Sequence, residues 1–439
     1  MLRLPPALAL LALGGCASYR ASFHNGRGLE AYRGGQPEAA AAAFREALAV
    51  DPDLAEAHSN LGLAYEDLGM DDEAIASYRA ALRIDPSLAV AHYNLAASYD
   101  RLGRRPQAIK EYANAVERDP QDVDARVRLA ALLVEDRQAR RALPHARVAV
   151  EQAPGRAAAW EALGLALVRL GRPDEAVEAF ARGAALAPSD RDLALHLGTA
   201  CLAAGDLPAA ELHLRALTRR APDFAAAHNN LGVVLHRRGD FAGALGALDQ
   251  ALALDPGAVD AAVNLGDVYR EMGLWDMAAA FYLRARDGDP DAAGAWRGLA
   301  RLFQARGQDD EAAWAMREAL RLQPDDPEAL AGLALLYVAG AEPDPAPRGP
   351  GAREAHRRAR DQRAREAVVF ARMAVELTEG ERRSAYMLNL ADVQLGDGDR
   401  DGAIATLQRA LAEEPDDPAL KQRLEEILAQ PAGRRPKKM

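Results

Sequence analysis

The stretch Ala157–Asp190 reads AAAWEALGLALVRLGRPDEAVEAFARGAALAPSD. Trp160, Leu163, Gly164 and Leu167 fall at the i, i+3, i+4, i+7 spacing that places four residues on one face of a helix. Gly171 supplies a residue free to adopt left-handed backbone, which ends that helix. Ala176 and Phe180 share a face of a second helix. Pro188 closes it, because proline lacks an N–H and clashes with the turn before it. Pro188 is one rung of a ladder: Pro52, Pro86, Pro120, Pro154, Pro188, Pro222, Pro256, Pro290 and Pro324 each stand 34 residues from the next. No catalytic chemistry requires such a period, whereas a stacked two-helix unit does.

With each ladder proline set as position 32, every other residue acquires a place. Position 8 is Gly or Ala throughout (Gly28, Gly62 and Ala96 in the first three units), and position 20 is Ala from Ala40 to Ala403. Only small side chains fit where two helices cross most closely, so these positions predict the crossing point. Glycines near position 15 predict the turns, and the acidic residues that follow, such as Asp71-Asp72, suit the next helix's positive end. The fourth unit, Val123–Arg156, carries Arg137 at the turn and Pro144 inside the second helix, and predicts a shifted or kinked helix. This pattern resembles the tetratricopeptide repeat family, whose motif is Trp-x2-Leu-Gly-x2-Tyr, then Ala-x3-Phe, then Ala and Pro. The resemblance implies an all-α fold: a solenoid of about eleven helix-turn-helix repeats in a right-handed superhelix, with a C-terminal capping helix.

The array occupies 21–326 as nine repeats. A tenth follows at 327–381, with a Pro-rich and basic insertion at about 341–362 between its helices. An eleventh spans 384–417, a cap 418–430, and a basic tail 431–439 that should be disordered. Arg353 to Arg365 is strongly basic, and is read either as a solvated extension of the second helix or as a docking protrusion.

A net charge of -11 without a basic stripe argues against nucleic acid as partner. Of the two cysteines, Cys201 lies in a helical apolar stripe and is read as a small buried hydrophobe. Cys16 follows Leu13-Gly14-Gly15, after a charged start and the apolar run Leu8 to Leu13, far short of the roughly 20 residues a spanning helix requires. This stretch resembles the lipobox of bacterial lipoproteins. The resemblance implies a signal peptide at 1–15, cleavage before Cys16, lipid attachment at Cys16 and a short linker at 16–20. An ordinary leader cut near Gly15 and Ala17 is the alternative. Ala17, where Asp would favour inner-membrane retention in that pattern, leans toward the outer membrane facing the periplasm.

No phosphate-binding glycine loop, Cys-x-x-Cys or nucleophile elbow is present, and the histidines lack metal-ligand spacing. An enzyme is not expected, nor a metal, a cofactor or a small-molecule substrate. His24, His58, His92 and His228 share position 4 with Trp160 and Trp296, and are read as packing residues. In tetratricopeptide proteins the first helices line a concave groove through positions 2, 5, 6, 9, 12 and 13. Position 6 is Asn60, Asn94, Asn230, Asn264 and Asn389, and asparagine offers both a donor and an acceptor to an extended peptide. The ladder is similar to the groove asparagines of the O-GlcNAc transferase repeats, although Asn-Leu-Gly is also simply common in such repeats. Asp267, Arg270 and Arg301 add charge at the later end, and Val127, Val134, Leu165, Val168, Leu195 and Leu202 make an apolar middle. The function expected is a lipid-anchored scaffold that binds protein segments in its groove to assemble an envelope complex of the pilus, secretion or polysaccharide-export type. The alternative is an accessory subunit that recruits a glycan- or peptidoglycan-modifying enzyme.

Overall fold

The computed structural model describes residues 6–342, 352–378 and 382–429, with side chains described from residue 18 onward and, beyond the first gap, from residue 357. The leader's first residues, the Cys16 side chain, the Pro-rich segment 343–351 and the tail lie outside what is described. Among the described residues every regular element is an α-helix. The chain divides into two compact units, residues 1–170 with 175–187 and residues 171–174 with 188–439.

The first unit holds α1 (Pro6–Arg33), α2 (Pro37–Val50), α3 (Ala55–Asp67), α4 (Asp71–Ile84), α5 (Ala89–Arg101), α6 (Arg105–Arg118), α7 (Val123–Glu135), α8 (Ala139–Gln152), α9 (Ala157–Arg169) and nearly all of α10 (Pro173–Leu186). The second holds α11 (Arg191–Ala203), α12 (Leu207–Arg220), α13 (Ala225–Arg237), α14 (Phe241–Leu254), α15 (Val259–Glu271), α16 (Trp275–Gly288), α17 (Ala293–Ala305) and α18 (Asp309–Leu322). It continues with α19 (Pro327–Ala339), α20 (Ala352–Glu376), α21 (Arg382–Asp397), α22 (Arg400–Glu413) and α23 (Pro418–Ala429).

Small residues set the crossing within each hairpin. A Cβ added at Gly164 would lie 2.6 Å from the Phe180 ring, one at Gly232 2.5 Å from Leu248, and one at Gly266 2.5 Å from Tyr282. The position-8 residue thus meets the large position-24 side chain of the following helix. All eleven position-20 alanines, from Ala40 to Ala403, are fully buried. The core is therefore a file of small and large residues in alternation, renewed at each repeat.

The position-15 glycines from Gly35 to Gly307 take φ between +67° and +80°, as helix-ending left-handed residues. In the fourth repeat Arg137 takes that conformation itself, at φ +57°. No shift accompanies it: α8 starts at the same place in its repeat as α4 and α6, and runs through Pro144 for the same 14 residues. A non-glycine residue in the left-handed region carries the strain locally instead. Residues 16–20, expected as a linker, are helical within α1, since nothing in the chain breaks the helix before Gly34-Gly35. In the tenth repeat α20 is 25 residues long against 14 for α18, so the basic stretch lengthens the second helix at its N-terminal end.

Candidate partner-binding surface

The ladder prolines do more than end helices. His58, His92 and His228 direct Nε2 at the carbonyls of Pro52, Pro86 and Pro222, at 3.0, 3.2 and 3.1 Å. Trp160 and Trp296 donate Nε1–H to Pro154 and Pro290 at 2.8 and 3.4 Å, and Arg126 reaches Pro120 at 2.7 Å. Where position 4 is alanine, at Ala194 and Ala262, an arginine from the second helix takes over, Arg220 to Pro188 at 2.5 Å and Arg284 to Pro256 at 3.1 Å. Eight of the nine ladder carbonyls thus receive a side-chain donor, which satisfies an acceptor that a helix end leaves open. Position 4 is a packing slot, as expected, and also a clasp.

The predicted asparagines fall on the first helices and are partly spent between repeats. Asn60 Nδ2 donates to Asn25 Oδ1 at 3.0 Å, and Asn264 Nδ2 donates to Asn229 Oδ1 at 2.8 Å. In both pairs position 6 binds position 5 of the repeat before it. Asn230 donates to Thr199 Oγ1 at 2.9 Å and accepts from Asn229 at 3.1 Å. Asn94 is half-buried, and its backbone carbonyl accepts the Ser98 hydroxyl at 3.0 Å. Asn25 and Asn229, at position 5, and Thr199, at position 9, recur too rarely to stand out in the sequence; what marks them is their pairing with position 6 of the next repeat.

Charge on these helices gathers around two carboxylates, one in each unit. In the first unit Glu66 accepts from the Tyr78 hydroxyl at 3.0 Å, from the Ser98 hydroxyl, and from Arg101 at 3.3 Å; Arg101 also reaches Asp71 at 2.5 Å. In the second unit Asp267 accepts from the Tyr282 hydroxyl at 2.7 Å and from Arg301 at 3.3 Å, with Arg270 Nε 3.6 Å away. Arg301 also pairs with Glu328, and Arg297 lies 2.8 Å from Asp326. Burial first, and then the adjacent carboxylate, pushes the Tyr78 and Tyr282 hydroxyls far above their ordinary range, so both remain donors. Burial lowers Arg301, but Asp267 and Glu328 more than offset it. Asp267, Arg270 and Arg301 are therefore brought together as one group, with a charge balance largely satisfied inside the chain.

The apolar middle is mostly internal packing: Val127, Val134 and Leu202 are buried and Leu165 and Leu195 half-buried, leaving Val168 exposed. Burial, then the charge of Asp206, raises the thiol of Cys201, which is inert in that state. Among the described residues no group of three or more His, Cys, Asp or Glu is placed to hold a metal. Under the basic part of α20 lies a cavity of about 560 Å³, where Leu330, Leu333, Tyr337 and Phe370 meet Arg321 and Arg363. Arg363 is tied to Glu342 at 3.2 Å and Arg321 to Glu318 at 2.9 Å, so the cavity's cations are already paired.

Models of the tetratricopeptide repeat match residues 25–89, 89–122, 157–200, 195–259, 235–302, 293–336 and 385–419. The stretches left unmatched hold the repeat with Arg137 and the one with the lengthened α20. No curated protein matches the chain. Among solved structures, yeast Tom70 is similar at 14% identity over 93% of this chain and 96% of its own, with a TM-score of 0.51. MamA from Desulfovibrio magneticus RS-1 is 23% identical over 38% of this chain and 95% of its own, with a TM-score of 0.37, and another MamA structure is 24% identical with a TM-score of 0.35. The Tom70 likeness is one of fold.

Proposed function

The chain belongs to the tetratricopeptide repeat family, whose arrays are protein-interaction scaffolds, and on that premise we propose a non-enzymatic scaffold anchored by lipid at Cys16 in a bacterial envelope. It holds extended segments of protein partners along its first helices and so assembles an envelope complex of the pilus, secretion or polysaccharide-export type. One observation carries the reading of the binding face. Asn60 and Asn264 each spend one N–H on the preceding repeat. That bond fixes the amide's direction and leaves its oxygen and second N–H for a ligand. An amide held this way loses little freedom on binding, which favours affinity for a main chain of any sequence. Asp267, Arg270 and Arg301 set the polar end of this surface within the second unit.

Photocrosslinking amino acids at Asn94 and Asn264, with partners read by mass spectrometry in cells, test the face. Adducts are expected at both positions. If partners are captured only from second-helix sites such as Leu212 and Trp314, the reading of this face is wrong. Recovery of secretin or export subunits supports the scaffold, and recovery of a glycan- or peptidoglycan-modifying enzyme supports the accessory role. Cys16→Ala followed by membrane fractionation tests the anchor, and unchanged retention and mobility would remove it.

A further inference from the structure

The outward side of α1 carries an aromatic pair that no repeat covers. Tyr19 is 76% exposed and Phe23 56%, one helical turn apart, although both are large and apolar enough to be drawn into a core. The inward side of the same helix is closed, with Ala21, Asn25 and Gly28 buried against the first hairpin. Arg20 and Arg27 stand exposed beside the aromatic pair, and Arg27 makes only a long 3.4 Å contact with Glu46, itself bound by His24 at 2.8 Å. Rings flanked by arginines on one helix face are what a bilayer interface accommodates: rings sit at headgroup depth, and guanidinium groups meet anionic headgroups. No helix among the described residues is long and apolar enough to cross a membrane, so the match is to a helix lying on the surface. In the register of α1, position 16 stands three residues before Tyr19 and seven before Phe23, which puts it on the same side.

We propose that this face of α1 docks on an anionic phospholipid surface, with Tyr19 and Phe23 at the interface and Arg20 and Arg27 against the headgroups. The contact lays α1 along the leaflet and so fixes the angle at which the first repeats leave the membrane. Its address rests on the reading of Cys16 as the acylated residue, since an acyl group there enters the leaflet under the same side of the helix.

The test uses the full-length protein, expressed, purified as its mature form, and reconstituted into vesicles of phosphatidylglycerol carrying a diazirine near the glycerol. Irradiation is expected to put lipid adducts on peptides spanning residues 19–27. Tyr19→Ser with Phe23→Ser is expected to cut their yield at least fivefold while leaving thermal unfolding unchanged. Arg20→Gln with Arg27→Gln is expected to erase the preference for phosphatidylglycerol over phosphatidylcholine. Adducts absent from 19–27, or a double aromatic variant labelled as well as the parent, overturn the proposal. Intact mass of the same sample separates the two readings. A mature chain without acyl mass but labelled at 19–27 removes the anchor and keeps the docking face, and an acylated chain unlabelled there does the reverse.

Discussion

The second and eighth repeats close differently from the sixth and seventh. In all four a glycine at position 8 lets the large position-24 residue approach within contact of the first helix. In the sixth and seventh that residue is Leu214 or Leu248, and the seam is apolar. In the second and eighth it is Tyr78 or Tyr282, fully buried, with a hydroxyl that must find an acceptor. Glu66 and Asp267 provide it, and each also takes an arginine from the following repeat. The apolar seam acts within its hairpin, and the sixth and seventh repeats are tied to their successors elsewhere, through Thr199 with Asn230 and Asn229 with Asn264. In the second and eighth the carboxylate that receives the ring's hydroxyl also makes a tie to the next repeat, so hairpin closure and repeat coupling share one group.

The sharpest way to break the polar seam is Asp267→Ala, which leaves the Tyr282 hydroxyl and one side of Arg301 unmatched. A loss of about 3 kcal/mol in the second unit is expected, with protection from hydrogen exchange falling in α15 and α17 together. Exchange that quickens in α15 alone would show that the seam does not couple repeats. Next in size is Gly266→Ala, expected to cost about 2 kcal/mol, against about 1 for Gly232→Ala. The difference arises because Tyr282 has little room to retreat: Asp267 holds its hydroxyl, and Gly298 of the next repeat also approaches the ring so closely that an added Cβ would clash there too. Equal urea midpoints for the two variants would remove that distinction.

The array was legible because its constraints are local and recur: a small residue at the crossing, a left-handed residue at the turn, a proline at the end. The seams were not, for a physical reason in each case. The acceptor for position 4 is a backbone carbonyl, which no side-chain pattern reveals, so His58 and His92 read as packing alone. The partner of Asn60 lies 35 residues away at a neighbouring position, and adjacency of that kind is set by packing rather than by the period. Arg301 and Asp267, by contrast, share position 9 one full period apart and are paired only because opposite charges follow one another there. Gly298 sits where five repeats have asparagine, and the approach of the Tyr282 ring accounts for the small residue there.

Two smaller effects sharpen the comparison in the first unit. Arg137→Gly is expected to raise stability by about 1 kcal/mol, since glycine takes the left-handed conformation without steric cost; α7 and α8 should show slower exchange. No gain would mean that the arginine's contacts outweigh its strain. In the third repeat, burial raises Glu111, but hydrogen bonds from His92 at 2.7 Å and Asn114 at 3.1 Å outweigh it and hold the carboxyl below its usual range. A carboxyl depressed in the fold adds stability above its unfolded value near 4.5, and that stability disappears as pH falls through the lowered folded value. Urea midpoints recorded downward from pH 5 are therefore expected to fall more steeply for the parent than for Glu111→Gln; parallel curves would assign the acid loss elsewhere.

The clasp between position 4 and the ladder carbonyl also decides where such a chain tolerates extra length. The clasp spans six residues, from His58 back to Pro52 or from Trp160 back to Pro154, and any added residue there would pull donor from acceptor. The tip of a hairpin carries no such clasp, and it is at a tip, between α19 and α20, that this chain is longest. For anyone wishing to splice a reporter or a second domain into the array, the glycine turns are the permissive sites and the proline turns the forbidden ones.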